Sequence, residues 1–495
     1  NYLEIKKLLE QNNYSFKSDT DSEILANYIE YKYLKNESIE DIIQNLNSKI
    51  IGTWGLGIMC IDEPNKCYFT RCGSPLIYYY NNDFGIVSSE ISGFNNKFSN
   101  YYIIEDNELI IFNQKNNKIT ANSYNKKKYN INNNFIIPSS PAPYAHWLLK
   151  EIYEQPETVL KAINYGGRIV DNRIILGGLN TYKSNILDCT NIILLGCGTS
   201  YNAALYTSKI FKQICDFNSI QVFDGAEFNN YDIPKIGKTC AVFISQSGET
   251  RDLIKCIDLC NENNIITLGV INVVDSLIAR EMLCGVYTNC GPEISVASTK
   301  SYISQIIVLY LIALWVSQEK KIYDDKRIKI IKDIRTLSKD ISKCLEEYNN
   351  IKSLCESINE NSIFILGKNT CKDVANEGAL KIKEVTYIHA EGYSSSALKH
   401  GPYSLLDSNK TVLLLCPNDK YYNNNMSIYE ELKARNSKII KISNYGNPDI
   451  TISNNKTFQN MLCIIPIQLI SYLLGLKFKR NIDKPRGIAK VCTTD

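Results

Sequence analysis

The stretch "NIILLGCGTS" at 191–200 is an apolar run, a glycine-bearing turn and then hydroxyl residues, and "SIFILGKNT" at 362–370 repeats the plan 171 residues later. Short apolar runs bounded by turn residues read as strands buried on both faces, the kind found in parallel sheets covered by helices. The next pair keeps the spacing: "CAVFIS" at 240–245 stands opposite "TVLLLC" at 411–416. A third pair, "NIITLGVIN" at 264–272 and "SKIIKISN" at 437–444, agrees to within a couple of residues. Three strands in one register, with helical segments between them, predict a tandem duplication of a doubly wound α/β domain.

Upstream the texture changes. "IIGTWGLGIMCID", "KCYFTRCGSPLIYYY" and "DFGIVSS" read as successive strands of a sheet-rich domain. The Asn-rich stretch that begins near 125 and ends in "IPSSPAPY" reads as a linker. The expected organisation is therefore 1–124 sheet-rich, 125–143 linker, 144–327 first repeat, 328–480 second repeat and 481–495 a tail.

Composition narrows the function. With 44% hydrophobic and 22% charged residues the 495-residue chain is ordinary globular protein. A net charge of +3 is too small to imply a polyanion-binding surface, and the nearest basic patch, "NKKKYNINNNF" at 125–135, reads as solvated linker, so no nucleic acid is expected. The apolar run "IIVLYLIALWV" at 306–316 is too short against the roughly 20 residues of a spanning helix and reads as a buried one, so no membrane partner is expected. Seventeen cysteines without a CxxC pair or a secretory leader point to a reducing, cytoplasmic setting. Cys256 and Cys260 lie one turn apart with no histidine near them, so no metal site is expected.

Several stretches carry chemistry. "FISQSGETRDL" at 243–253 is a strand, a polar loop and a helix start; Ser245, Gln246, Ser247 and Thr250 offer hydroxyls and amides where unpaired N–H groups favour an anion such as phosphate. A plain Ser N-cap needs just one of them. The second repeat has "LLLCPNDKYY" there, so only the first repeat is expected to hold phosphate. Ser200 reads as cap or ligand beside Gly198, and Ser298 as the cap of the apolar helix or as a ligand. In "TCKDVANEGALKIKEV", Thr370 and Asp373 have capping-box spacing. Glu377, Lys381 and Glu384 share one helix face, either as a surface salt-bridge ladder or, if the face lines a pocket, with Glu384 as general base. Of three histidines, His389 and His400 fall in "IHAEGYSSSALKHGP" at 388–402, the first expected as a packed or hydrogen-bonded neighbour at a helix end. Lys490 lies in the terminal "NIDKPRGIAKVCTTD", which spacing alone leaves as a frayed end.

Taken together, "HWLLKEIYEQP", "CGTSYNA", "SQSGET", "EISVASTKS", "EGALKIKEVTYIHAEGY", "LKHGP" and "DKPRGIAK", in this order, resemble the glucosamine-6-phosphate synthase family, glutamine:fructose-6-phosphate amidotransferases. The resemblance implies a truncated N-terminal-nucleophile (αββα) glutaminase domain followed by two doubly wound sugar-isomerase (SIS) domains. It also implies conversion of fructose 6-phosphate and glutamine to glucosamine 6-phosphate, the first step toward UDP-N-acetylglucosamine, with no cofactor. Carried onto this chain, phosphate would sit on Ser245, Gln246, Ser247 and Thr250, with Ser200, Val296, Ser298, Glu377 and Ala489 around the sugar. Lys490 would form the Schiff base, Glu384 would move a proton between C1 and C2 with Lys381 beside it, and His400 would open the ring from a neighbouring subunit, implying at least a homodimer.

There are departures. The family's N-terminal cysteine and its Arg, Trp, His and Asn-Gly elements have no counterpart, so the sequence reads as a fragment lacking about the first hundred family positions, expected to use ammonia rather than hydrolyse glutamine. Asp21 in "SDTDSE" matches the aspartate that holds the glutamine amino group. Ala397 stands where the family has an acidic residue beside the histidine. Two rivals are a deglycase or aminosugar-phosphate deaminase on the same fold, and a non-catalytic sugar-phosphate-binding protein. The 1–124 region argues against the first, and the trio Glu384, His400 and Lys490 against the second.

Overall fold

The computed structural model describes the chain except residues 1, 19, 51–53, 73, 75, 90, 95–97, 99, 117, 123–125, 131–139, 360–361, 409 and 491–495. Two compact units are formed, Asn1–Ile137 and Pro138–Val491.

The first unit opens with helices Tyr2–Gln11, Asp21–Tyr33 and Ile39–Lys49, which the sheet-rich expectation did not contain. The last of them had a legible signal: Ile39, Ile42, Ile43 and Leu46 recur at helical spacing behind Ser38, whose hydroxyl accepts the Asp41 N–H. Two four-stranded antiparallel sheets follow. One runs Trp54–Met59, Lys66–Cys72, Leu109–Lys115, Lys118–Ala121, and the other Gly85–Ser88, Ile77–Tyr80, Asn100–Ile103, Tyr129–Asn130. The helices pack Leu9, Ile24 and Ile43 into one core with Tyr68 of the first sheet. Tyr129–Asn130 falls inside the stretch expected as linker, because its backbone completes the second sheet; 131–139 of that stretch lie outside the described residues.

The second unit holds two five-stranded parallel sheets. The first has β1 (Asn191–Gly196), β2 (Ser219–Asp224), β3 (Thr239–Ser245), β4 (Ile266–Ile271) and β5 (Cys284–Tyr287), in the order β2-β1-β3-β4-β5. The second has β6 (Ser362–Gly367), β7 (His389–Ser394), β8 (Thr411–Leu415), β9 (Lys438–Ser443) and β10 (Ile450–Thr451), in the order β7-β6-β8-β9-β10. The order is the same, and so is an unusual backbone detail. Gly198 at φ 54°, ψ −120° precedes the helix after β1, and Asn369 at φ 55°, ψ −123° precedes the helix after β6. At the end of each first strand a glycine admits the next helix. A Cβ on Gly196 would lie 2.7 Å from the Ser200 backbone, and one on Gly367 2.5 Å from the Cys371 backbone. Only glycine permits so close an approach.

The helices that matter for the site are α1 (Trp147–Tyr153), α2 (Thr199–Ile214), α3 (Arg251–Glu262), α4 (Lys300–Glu319), α5 (Thr370–Thr386) and α6 (Ile464–Lys477). The run "IIVLYLIALWV" lies within α4, buried as expected. Among the described residues two helical stretches, Lys300–Glu319 and Gln459–Lys477, are long and apolar enough to span a bilayer, but 94% and 89% of them is buried inside this unit. Ile307 and Leu311 of α4, Ala379 and Ile382 of α5 and Ile467 of α6 belong to one continuous core, so the two repeats fold around shared apolar surface.

Two expected caps differ, and so does one expected neighbour. Ser298 does not cap α4: the residue before the helix is Thr299, and the Thr299 and Ser301 N–H groups donate to the Glu293 carboxylate instead. Thr370 and Asp373 form no capping box, because α5 begins after Asn369 in a positive-φ turn, and Asp373 faces Lys209 at 3.6 Å. His389 is not packed at the end of the Glu384 helix; it opens the edge strand β7, two-thirds exposed, 3.9 Å from Glu391.

Candidate active site

In a sheet of order β2-β1-β3, the connections after β1 and β3 leave in opposite directions, and the crevice between their carboxyl ends is where such folds take ligands. Ser200 follows β1 and the 245–250 loop follows β3. Ser245 closes β3; its hydroxyl accepts the Gly248 N–H at 2.9 Å and lies 3.1 Å from the Thr250 hydroxyl. Ser247 accepts the Glu249 N–H at 3.1 Å. Gly248 has φ +69°, and a Cβ there would sit 1.9 Å from Ser276 Oγ, so the turn tolerates no side chain. Thr250 precedes α3 without a side-chain cap bond, and Gln246 is half-buried. The loop thus gathers three hydroxyls at a helix start, a suitable cradle for a phosphate group. Ser200 is buried and accepts from Gln305 Nε2 of α4 at 3.0 Å.

The face of α5 is no surface ladder. Glu377 and Lys381 are fully buried, since α2 of the first repeat covers them. Thr199 donates to Glu377 at 3.0 Å and accepts from Lys381 Nζ at 3.0 Å, while Asn202 donates to Glu377 at 2.8 Å. Lys381 also pairs with Glu384 at 2.6 Å and faces Glu377 at 3.5 Å. Burial pushes the Glu377 carboxyl up to about 7 against the pull of Lys381. For Lys381 burial works downward, but the Glu384 and Glu377 carboxylates outweigh it and hold the ammonium above its usual range. Glu384, with 21% of its side chain exposed, is the member of the trio open to a ligand.

The tail is not frayed through Lys490. Its Nζ donates to Glu293 Oε2 at 2.8 Å and lies 3.4 Å from the Ser298 hydroxyl. Glu293 is buried; burial alone would raise its carboxyl, but Lys490 chiefly, with the Thr299 N–H and Lys300, brings it down to about 2. Asp483 anchors the same segment. Its carboxylate accepts the Trp147 and Leu148 N–H groups at the start of α1, at 3.0 and 2.9 Å, and its carbonyl accepts the Val296 N–H at 3.0 Å. Glu151 on α1 accepts the Ile294 and Ser295 N–H groups at 2.5 and 3.2 Å, and burial, with the Glu293 charge beside it, lifts its carboxyl to about 8. Lys381 lies within the field of Glu293, which links the α5 trio to the tail.

The remaining expected residues are placed elsewhere. Ala489 is exposed next to Lys490. His400 ends a 3-10 turn, Ser395–His400, exposed and with no hydrogen bond or ion pair among the described residues; Ala397 is half-buried in the same turn. Asp21 opens a helix of the first unit, exposed, accepting from Ser22. The described cysteines are free thiols, and no cluster of metal-ligating side chains occurs among the described residues.

Glu293, Glu151, Thr199, Asn202 and Asp483 are the functional-site residues that sequence reasoning did not single out. A signal existed for Glu293, the one charged residue between 282 and 299. The others carried none, since their partners lie more than a hundred residues away.

Known proteins similar to this chain point to one family. The SIS domain family matches residues 185–315 and 357–459. A probable glutamine–fructose-6-phosphate aminotransferase (isomerizing) of Acanthamoeba polyphaga mimivirus is 36% identical, over the whole of this chain and 82% of its own length. The Clostridium tetani glutamine–fructose-6-phosphate aminotransferase (isomerizing) is 31% identical, over the whole of this chain and 83% of its own. Among solved structures, the C-terminal domain of glucosamine-fructose-6-phosphate aminotransferase from Francisella tularensis aligns with a TM-score of 0.65 and 29% identity, covering 70% of this chain and all of that one. With relatives this similar along its whole length, and two SIS repeats meeting at one polar site, the chain belongs to the isomerizing glutamine–fructose-6-phosphate aminotransferase family.

Proposed function

We propose that this chain is an enzyme that converts fructose 6-phosphate and ammonia to glucosamine 6-phosphate, with glutamine as the family's nitrogen donor. The observation that carries the reading is the placement of Lys490 Nζ, 2.8 Å from Glu293 and 3.4 Å from Ser298, in the same unit as the buried trio of α5. In this reading the sugar phosphate docks on Ser245, Gln246, Ser247 and Thr250, with Ser200, Val296, Ser298 and Ala489 along the sugar. Lys490 adds to the C2 carbonyl of the open ketose, expelling water and forming an imine. Ammonia takes the place of the lysine, and Glu384 then carries a proton from C1 to C2, leaving the aldehyde at C1 and the amine at C2. Lys381 holds Glu384 at 2.6 Å and is itself held by Glu377 and Thr199.

His400 opens the hexose ring in this proposal from a second copy of the chain, because in its own chain it bonds to none of the site residues; a homodimer is therefore part of the reading. Residues 1–124 are proposed as a portion of a glutaminase-type αββα domain, supported by helices beside two antiparallel sheets, with Asp21 toward the glutamine amino group. The sugar-isomerase domains are taken as 144–327 and 328–480, with 481–495 as the catalytic tail, and free thiols support a reducing, cytoplasmic setting. The test is direct. Fructose 6-phosphate with ammonium should yield glucosamine 6-phosphate, and without ammonia glucose 6-phosphate, with both lost in Lys490→Ala. Formation of neither product under any condition would overturn the proposal.

A further inference from the structure

Glu293 is a carboxylate with no solvent exposure, and each of its oxygens is engaged. Oε1 accepts the Thr299 and Ser301 N–H groups at 2.9 and 3.1 Å; Oε2 accepts the Ser301 hydroxyl at 2.9 Å and Lys490 Nζ at 2.8 Å. Three of these donors come from Thr299 and the first turn of α4, a helix buried along its length, so the carboxylate cannot swing away. The fourth comes from the tail, which arrives from 197 residues away and is clasped a second time by Asp483 at the start of α1. The charged groups in its field are Lys490, Lys300, Lys381 and the carboxyl of Glu151, on four separate elements.

From this geometry we infer that Glu293 is a positioning residue for Lys490, a fixed buried counter-charge that sets where Nζ sits beside Ser298 both as the resting ammonium and as the iminium. The inference rests on the reading of Lys490 as the imine-forming lysine. The balance explains why one anion serves both states. The ammonium gives a proton to water at the partly open edge of the side chain, the neutral amine adds to the C2 carbonyl, and the carbinolamine regains a proton and loses water. Ammonium plus ketone thus become iminium plus water, with the positive charge on the same nitrogen at start and finish. A buried carboxylate whose own proton is held off at all working pH values accompanies that charge throughout.

The experiment is reductive trapping on the intact chain with fructose 6-phosphate and cyanoborohydride, reading the mass of the peptide that carries Lys490. Wild type should gain one reduced sugar phosphate there; if it does not, the functional reading fails and this inference with it. With trapping established, Glu293→Gln should slow it about tenfold or more at pH 7 while fructose 6-phosphate affinity stays within about threefold. Glu293→Asp, which keeps the carboxylate on a shorter stem, should recover part of the rate. Trapping at the wild-type rate in Glu293→Gln would overturn the inference, as would a slower rate that Glu293→Asp does not recover at all or that comes with an equal loss of fructose 6-phosphate affinity. Should Glu293→Gln not fold, Lys490→Met reads the pair from the other side. Its Tm should fall at pH 8 and recover toward wild type near pH 4, and an unchanged Tm at pH 8 would overturn the inference equally.

Discussion

Glu377→Gln isolates the electrical cost of burying a carboxyl between the two repeats. In the folded protein burial raises this group from 4.5 to about 7. The folded state therefore holds the proton more tightly than the unfolded chain. Stability attached to the group is fully present below about 4.5 and drains away as pH climbs to about 7, then levels off. The rise from 4.5 to about 7 corresponds to about 3 kcal/mol. Because Glu377 has no solvent exposure, screening by water does not reduce that figure. Glutamine fills the same space, still accepts from Thr199 or Asn202 through its carbonyl oxygen, and does not titrate. Urea unfolding of both proteins at pH 4.5 and pH 8, followed by tryptophan fluorescence, measures the difference. Wild type should lose about 3 kcal/mol more than Glu377→Gln across that interval, the other titrating groups cancelling in the comparison. A stability difference independent of pH would refute the reasoning.

Complementation tests the shared site: mixing His400→Ala with Lys490→Ala, each inactive alone, should restore about one quarter of wild-type activity, since half the dimers are mixed and one site in each is intact. Removing the hydroxyls of the 245–250 loop in Ser245→Ala/Thr250→Ala should weaken fructose 6-phosphate binding by about tenfold or more in calorimetry, at roughly 1 kcal/mol per lost hydrogen bond. The twin positive-φ positions predict opposite signs by thermal melting. Gly198→Ala should cost about 1–3 kcal/mol, and Asn369→Gly should be neutral or stabilising, because the same backbone strains a side chain in one repeat and not in the other.

Much of the fold was legible because strand burial leaves a one-dimensional trace. "NIILLG" and "SIFILG" are almost wholly apolar, short and bounded by turn residues, the pattern of strands buried on both faces of a parallel sheet, and their spacing carried the duplication through to identical strand orders. The first two N-terminal helices were less so, since polar asparagines and charges crowd "NYLEIKKLLEQNN" and their apolar faces emerge only once Leu9 and Ile24 are seen meeting Tyr68, whereas the third carried a readable period in Ile39, Ile42, Ile43 and Leu46 that the sheet-rich expectation passed over. Caps failed for a related reason: residue type suggested Ser298 and Thr370, while the backbone used Glu293 from six residues upstream and a positive-φ Asn369.

The strands, the repeat, the hydroxyl-rich loop after β3 and the shared face of Glu377, Lys381 and Glu384 could be read along the chain, because each depends on neighbours in sequence. Only the tertiary structure decided that this face is buried, because α2 of the other repeat covers it with Thr199 and Asn202. It alone decided that Lys490 is held, by a carboxylate 197 residues away. Periodicity reports which side chains lie together on one element; whether that side meets water or a second element is set by packing, and packing also sets the charge each group carries.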